Sequence, residues 1–339
     1  MELHEIGVII AWVFLYGYLI VASIDFGAGF FSFYAKLTRR DHIINKIIER
    51  YLSPVWEVTN VFLIFFVYAV ISFFPDVAYV YGVALLVPGS IALVLLCIRG
   101  SFYAFANYGA RKNIYYLFAY GVSGLFIPAS LATLMTVSEG GFISVQGRNV
   151  ELLIGALVRS PYSWVVVFLA LTSVLFISAS FLSYYADRAK DVDAGDLLRK
   201  FALYNSLPTI FFSFFAFFTL RNHNPEHFER MLDMSWMFIA SLGCFLVALA
   251  LYIQRKWYGT AFIFVMLQFA FAFFGYGRSH LPYLLYPHLT IESGVTSEAM
   301  GAALIAAFIG GLLLLIPSLY LLMRLFIFNA DYVQRGKGS

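Results

Sequence analysis

The chain reads as an all-α, polytopic membrane protein of about nine transmembrane helices, with its N-terminus outside and its C-terminus in the cytoplasm. Three observations predict this class. Of 339 residues, 62% are hydrophobic and only 12% charged, and the mean hydropathy is +0.83. No water-soluble domain covers that much Phe, Leu, Ile and Val. Apolar runs long enough to cross a bilayer, roughly 20 residues each, recur along the whole length. The cations between those runs also alternate: seventeen of the 22 Lys and Arg fall in one set of connections, and five (Arg148, Arg159, Arg221, Arg230 and Arg278) in the other. Cation-rich connections stay on the cytoplasmic side, which sets the orientation.

The spans are expected at 6–33, 57–75, 78–98, 114–137, 162–186, 201–220, 235–254, 259–276 and 299–328. The start, Met1-Glu2-Leu3-His4-Glu5, lacks the basic stretch of a cleaved signal peptide, so the first run is expected to be retained. Pro75-Asp76 makes a tight turn between the second and third. The segment 187–200 balances four bases against four acids, with Asp196 a candidate N-cap for the helix that follows. Its acids lack EF-hand spacing and read as a solvated loop. The eighth run is the shortest, and without it eight spans remain. In the ninth, Ala302, Ala306 and Gly310 form a small-residue stripe suited to close helix contact, and Pro317 favours a kink. The outer segments 138–161, 221–234 and 277–298 are long enough to touch a partner. Cys97 and Cys244 both lie in apolar runs and are expected to be buried thiols, not a disulfide. The net charge of +3 and the scatter of cations between spans give no sign of nucleic-acid binding.

Against this background three charges stand out. Asp25 lies in the second half of the first span, within Ile24-Asp25-Phe26-Gly27-Ala28-Gly29-Phe30. Glu57 starts the second, in Ser53-Pro54-Val55-Trp56-Glu57-Val58-Thr59-Asn60, and Arg99 ends the third. With the N-terminus outside, all three fall in the cytoplasmic half, Asp25 deepest. Intramembrane carboxylates are costly and usually serve a proton, an ion or a partner. Two roles fit Asp25: a proton-relay or ion-facing acid, and a structural ion pair with Arg99. The flanking glycines let a neighbouring helix or polar group come close. Glu57 suits either a proton-uptake mouth or a favourable first-turn acid on the helix dipole. Asn60 shares its face and continues a polar path inward, while Trp56 suits the interfacial belt. Arg99 either snorkels to the surface or pairs with one of the acids, and Ser101 follows it.

The six histidines, His4, His42, His223, His227, His280 and His288, all lie outside the apolar cores. A haem-binding span presents its axial ligand within or near its ends. No Cys-x-x-Cys-His, zinc spacing, P-loop or dinucleotide fingerprint occurs. We therefore expect no haem, metal or other cofactor bound by this chain alone.

These blocks resemble subunit II of the cytochrome bd-type quinol oxidases. Phe14-Leu15-Tyr16-Gly17-Tyr18 followed by Asp25-Phe26-Gly27-Ala28-Gly29 is similar to that family's first helix, Pro54 to Asn60 to the start of its second, and Arg99-Gly100-Ser101-Phe102 to the end of its third. Beyond the first third, the likeness rests on span number and loop order. The resemblance implies the non-haem subunit of a terminal oxidase that oxidises quinol and reduces dioxygen to water, in a bacterial or archaeal cell membrane. It places haems b and d in a partner subunit I, and allows for a small single-helix accessory subunit. It implies a proton path through Glu57, Asp25 and Asn60, with Arg99, Trp56 and Ser101 in electrostatic or structural support and no catalytic residue in this chain alone. Where the family often carries an earlier acid near the first-helix turn, this chain has Ala22 or Ser23. Family members commonly have Asp where this chain has Glu57. The implied plan is one four-helix bundle over 1–137, an outer loop over 138–161, and a second bundle over 162–276. A further outer loop spans 277–298, and a peripheral ninth helix with a cytoplasmic tail spans 299–339. Two other readings stay open: an ion-coupled secondary transporter, and a structural membrane scaffold.

Overall fold

The computed structural model describes residues 3–105, 114–146, 149–293, 297–322 and 324. In chain order they form α1 (Leu3–Leu37), α2 (Asp41–Phe73), α3 (Pro75–Ala84), α4 (Leu86–Phe105) and α5 (Ile114–Ser138). A hairpin of β1 (Ile143–Gln146) and β2 (Asn149–Leu152) and the short α6 (Ile154–Arg159) follow. Then come α7 (Pro161–Arg188), α8 (Val192–His223), α9 (Pro225–Asp233), α10 (Ser235–Gln254) and α11 (Tyr258–His280). The chain ends with the hairpin β3 (Tyr283–Leu285) and β4 (Leu289–Thr290), and α12 (Glu298–Leu322). Among the described residues, 7 helices are long and apolar enough to cross a membrane, and 8 if α3 and α4 count as one broken span. The chain is thus a multi-pass membrane protein. Aromatic and aliphatic side chains such as Phe211, Phe214 and Phe218 on α8 and Leu313 and Leu314 on α12 stay exposed, as a bilayer or an apolar partner requires.

The expected third span is broken: α3 and α4 meet at 81°. Pro88 explains the break, because it has no N–H to give the Ala84 carbonyl and so cannot prolong α3. Pro75 stands in the first turn of α3, where a missing N–H costs nothing, and Phe74 is the one non-helical residue between α2 and α3. The outer segments expected as loops are structured too, into the β1–β2 hairpin, α6 and α9. Asp191, not Asp196, caps α8, its carboxylate accepting from the Ala194 N–H at 3.1 Å. Asp196 instead pairs with Arg199 at 3.4 Å and Arg255 at 3.8 Å. α12 runs through Pro317 as one helix. Its Ala302–Ala306–Gly310 stripe does not pack on this chain: both alanines are exposed and Gly310 meets open space. α12 is instead seated by Phe308, buried against Phe14, Phe65 and Phe73. Cys97 is exposed on the outer face of α4, contrary to the expectation of burial, and both thiols are free.

The element order repeats. The lengths of α2 to α5 (33, 10, 20 and 25 residues) are followed closely by those of α8 to α11 (32, 9, 20 and 23). Pro225 opens α9 as Pro75 opens α3, and the joints Leu85 and Met234 share the same backbone angles, φ −95° and ψ 16°. The turns after α1 and α7 each hold a left-handed residue, Arg39 (φ 56°) and Lys190 (φ 54°).

α1 lies at the centre, packed on α2, α5, α7, α11 and α12. Glycine makes two of these approaches possible. A Cβ at Gly27 would overlap the Ser178 side chain of α7, and one at Gly124 of α5 would overlap the Phe26 carbonyl. The Ser178 hydroxyl then donates to the Ile24 carbonyl at 2.8 Å, tying α7 to α1. Gly27→Val is accordingly expected to overpack this crossing and cost about 1–3 kcal/mol, read as a lower thermal midpoint of the detergent-solubilised protein; an unchanged midpoint would show that the approach is not needed.

Candidate functional site

The buried charges gather where α1, α4 and α5 meet. α4 continues past the expected span end to Phe105, which leaves Arg99 inside the helix and 1% exposed. It does not snorkel. Its Nε donates to Asp25 Oδ2 at 2.8 Å, and its Nη1 to the Tyr120 carbonyl of α5 at 2.9 Å. Its Nη2 donates to the Asp25 carbonyl. The Tyr120 hydroxyl donates to Asp25 Oδ1 at 3.3 Å. The guanidinium also lies 4.0 Å from the Tyr120 ring centroid, and Phe102 stacks on the far face of this group at 4.2 Å from Tyr120. Gly29 makes the cage possible, since a Cβ there would lie 2.9 Å from both Arg99 Nη1 and the Tyr120 carbonyl. Asp25 itself is 2% exposed. Cation–π contact is worth up to about 2 kcal/mol when desolvated. Stranding either charge of a buried pair costs about 3–5 kcal/mol, so the ion pair dominates.

α1 extends to Leu37, so Asp25 stands twelve residues from its end, roughly 18 Å along the axis. Ser32, two helical turns nearer that end, falls on the same face of α1. Its hydroxyl donates to Asn45 Oδ1 of α2 at 3.1 Å. The sequence does not mark this part-buried polar step, because neither Ser nor Asn carries a charge that stands out in an apolar run. Asn60 is half-buried on α2, next to the buried Thr59. Ser101 is exposed and spends its hydroxyl on the Ile98 carbonyl at 2.7 Å, away from the cage. The side chains of Trp56 and Glu57 lie outside the described residues.

A second buried cluster occupies the opposite end of the bundle, where α5 and α11 finish and α9 begins. Glu139, His227 and His280 are 1%, 0% and 4% exposed. His227 Nδ1 lies 2.9 and 3.0 Å from the two Glu139 oxygens, and Asn224 Nδ2 donates to Oε2 at 2.9 Å. The Tyr276 hydroxyl donates to Oε1. His223 Nε2 meets the Gly140 carbonyl at 3.0 Å and stacks between Phe142 and Tyr162. Burial pushes the Glu139 carboxyl up, but the His227 hydrogen bond, the charges of His280 and His227, and the Tyr276 hydroxyl together hold it below the usual glutamate range. The sequence does not mark these residues as a site, because they come from three separate elements and lie outside the apolar cores. An acid directly after the fourth span and three histidines at or beyond span ends on that same side were the available signal.

A family model described as cytochrome bd terminal oxidase subunit II matches residues 3–326. A curated protein of Bacillus subtilis (strain 168), described as a cytochrome bd menaquinol oxidase subunit II, is 35% identical over 340 residues, covering 97% of each chain. The solved structure of a bd oxidase from Geobacillus thermodenitrificans superposes with a TM-score of 0.84 at 54% identity, covering 97% of this chain and 100% of that one.

Two outcomes are expected from these clusters. Arg99→Met alone should cost about 3–5 kcal/mol by stranding Asp25, and adding Asp25→Leu should recover most of it; thermal unfolding of the two variants measures this, and equal loss in both would refute the ion-pair account. Because the folded Glu139 binds its proton less readily than the unfolded chain does, its contribution is complete above about pH 4.3 and is lost as pH falls through its lower folded value. A plot of thermal midpoint against pH should therefore fall less steeply on the acid side for Glu139→Gln than for the native chain.

Proposed function

The chain belongs to the cytochrome bd terminal oxidase subunit II family, and from that premise we propose that it is the haem-free subunit of its complex and gives protons a route from the cytoplasm. Complexes of this family are quinol oxidases, oxidoreductases in which subunit II pairs with a subunit I. In the reading proposed here, subunit I carries haems b and d, where quinol is oxidised and dioxygen reduced to water. The histidines support leaving the haems there. His223 and His227 are engaged with Gly140, Glu139 and Ser279 at one end of the bundle. Among the described residues no histidine projects from the middle of a span, so this chain's side chains do not fit an axial-ligand set.

The observation that carries the proton route is the buried Asp25 carboxylate with a polar step beneath it. Arg99 holds Oδ2, and the Tyr120 hydroxyl reaches Oδ1. A proton arriving at Oδ1 can be accepted while Arg99 keeps the carboxylate in place. The Ser32–Asn45 hydrogen bond lies between Asp25 and the α1–α2 turn, where Arg39 and Arg40 sit. In the proposal Glu57 and Asn60 of α2 continue this route, Glu57 taking protons up at the mouth, with Trp56 in support. Oxygen reduction consumes protons beside buried haems, so a dry bundle needs such stepping stones.

The same proposal counts α2 as a ninth span, since its described apolar part, Thr59–Phe73, continues a 33-residue helix. The N-terminus is then outside and the C-terminal tail cytoplasmic. The spans group as α1–α5 and α7–α11 with α12 peripheral, in the cell membrane of a bacterium or archaeon, and the exposed faces leave room for a small accessory subunit. The Bacillus relative's description makes menaquinol the quinol to test first.

In the intact complex, Asp25→Asn and Glu57→Ala are each expected to lower quinol oxidation per haem by on the order of tenfold or more, Asp25→Asn also lowering stability because it strands Arg99, whereas Glu57→Asp keeps most turnover. Steady-state oxygen consumption decides it. Native turnover in both disabling variants would remove the proton route from the proposal.

A further inference from the structure

Glu139, His227 and His280 stand apart from the Asp25 cage and from any proton step proposed above. Glu139 Oε1 and His227 Nδ1 are 2.9 Å apart; His280 Nδ1 lies 3.5 Å from each of them. Hydrogen bonds between nitrogen and oxygen cluster at about 2.7–3.2 Å, so the two contacts of His280 are long for hydrogen bonds. Its other nitrogen, Nε2, is buried with no hydrogen-bond partner among the described residues. Hydrogen bonding within the protein therefore leaves this imidazole, which is 4% exposed, poorly accounted for. The nitrogen that faces Glu139 and His227 is Nδ1, and its two long contacts leave room for a ligand or an ion between the three side chains.

A metal ion accounts for the same distances. Tetrahedral zinc with bonds of about 2.0–2.1 Å to nitrogen and oxygen separates its ligand atoms by about 3.3–3.4 Å. The observed triangle of 2.9, 3.5 and 3.5 Å brackets that value. The donor set is chemically suitable: one carboxylate and two imidazoles, the combination used where zinc keeps an open fourth position. Two of the three side chains, His227 and Glu139, have the supporting contacts expected around metal ligands. His227 Nε2 is 2.9 Å from Ser279 Oγ, which fixes the ring so that Nδ1 faces the cluster. Asn224 Nδ2 holds the second Glu139 oxygen, and Tyr276 both donates to the first and stacks on His280.

We propose that Glu139, His227 and His280 form a binding site for a divalent transition-metal ion, zinc by preference. The ion would join the end of α5, the helix α9 and the end of α11. Its role is to bind these ends together, and it takes no part in electron transfer.

The test uses the intact oxidase complex containing this chain, expressed in zinc-supplemented medium and dialysed against a chelator. Elemental analysis should find about one zinc per complex, and zinc-edge X-ray absorption should show a shell of nitrogen and oxygen only at about 2.0–2.1 Å. Zinc should be lost from His280→Gln and Glu139→Gln complexes whose haem spectra match the native one. Substoichiometric zinc in the native complex, sulfur in its shell, or zinc retained in both variants would overturn the proposal. Should the variants fail to assemble, the native zinc content and absorption edge decide the matter on their own.

Discussion

A guanidinium buried among membrane helices demands a counter-charge, and much of the first half of this protein is arranged around meeting that demand. Arg99 reaches Asp25 twice, through the side chain and the backbone carbonyl, and reaches α5 through the Tyr120 carbonyl. Those contacts set the separation of α1, α4 and α5. They in turn require a residue without a side chain at position 29, where any Cβ would intrude on the guanidinium. The apolar packing around the cage, Phe26 and Phe102 included, then excludes water and makes each hydrogen bond within it count for more.

Most of what the sequence revealed came from periodicity and cost. Long apolar runs announce spans because every backbone polar group must be satisfied inside the helix, and an acid or arginine within one is conspicuous for the same reason. The pairing of Asp25 with Arg99 was therefore legible as one of two options, with the glycines pointing to close approach. The elbow at Leu85 was not legible, since a window of hydropathy passes smoothly through Val83 to Ile91 and only Pro88 marks it. Ser32 and Asn45 were hidden because their value depends on meeting each other across a helix pair. Glu139, His227 and His280 were hidden for a different reason. They lie at the ends of α5 and α11 and in the short α9, where sequence patterns hold no information about which side chains the chain brings together. The Ala302–Ala306–Gly310 stripe misled in the opposite direction: small residues permit contact but do not supply the facing helix.

The two buried polar groups differ in how they are held. The Asp25 cage is built on three long helices whose packing leaves little freedom, and its charges lie roughly 18 Å from the end of α1. The Glu139 cluster sits at helix ends and depends on α9, a helix of 9 residues that Asn224 caps by accepting from the His227 N–H at 3.1 Å. The residue that caps the helix also steadies the carboxylate through its amide nitrogen. Local helix chemistry and the long-range cluster are thus joined in a single side chain.

Gly27 and Ser178 are separated in the chain by the same interval as the left-handed residues Arg39 and Lys190, and so occupy corresponding places in the two helical repeats. They also touch one another across α1 and α7. The two repeats therefore meet at this crossing. At so close a crossing neither partner can grow unless the other shrinks. Substitutions at these two places are consequently bound to each other, although they belong to different halves of the chain, and a larger residue at one should be sought together with glycine at the other.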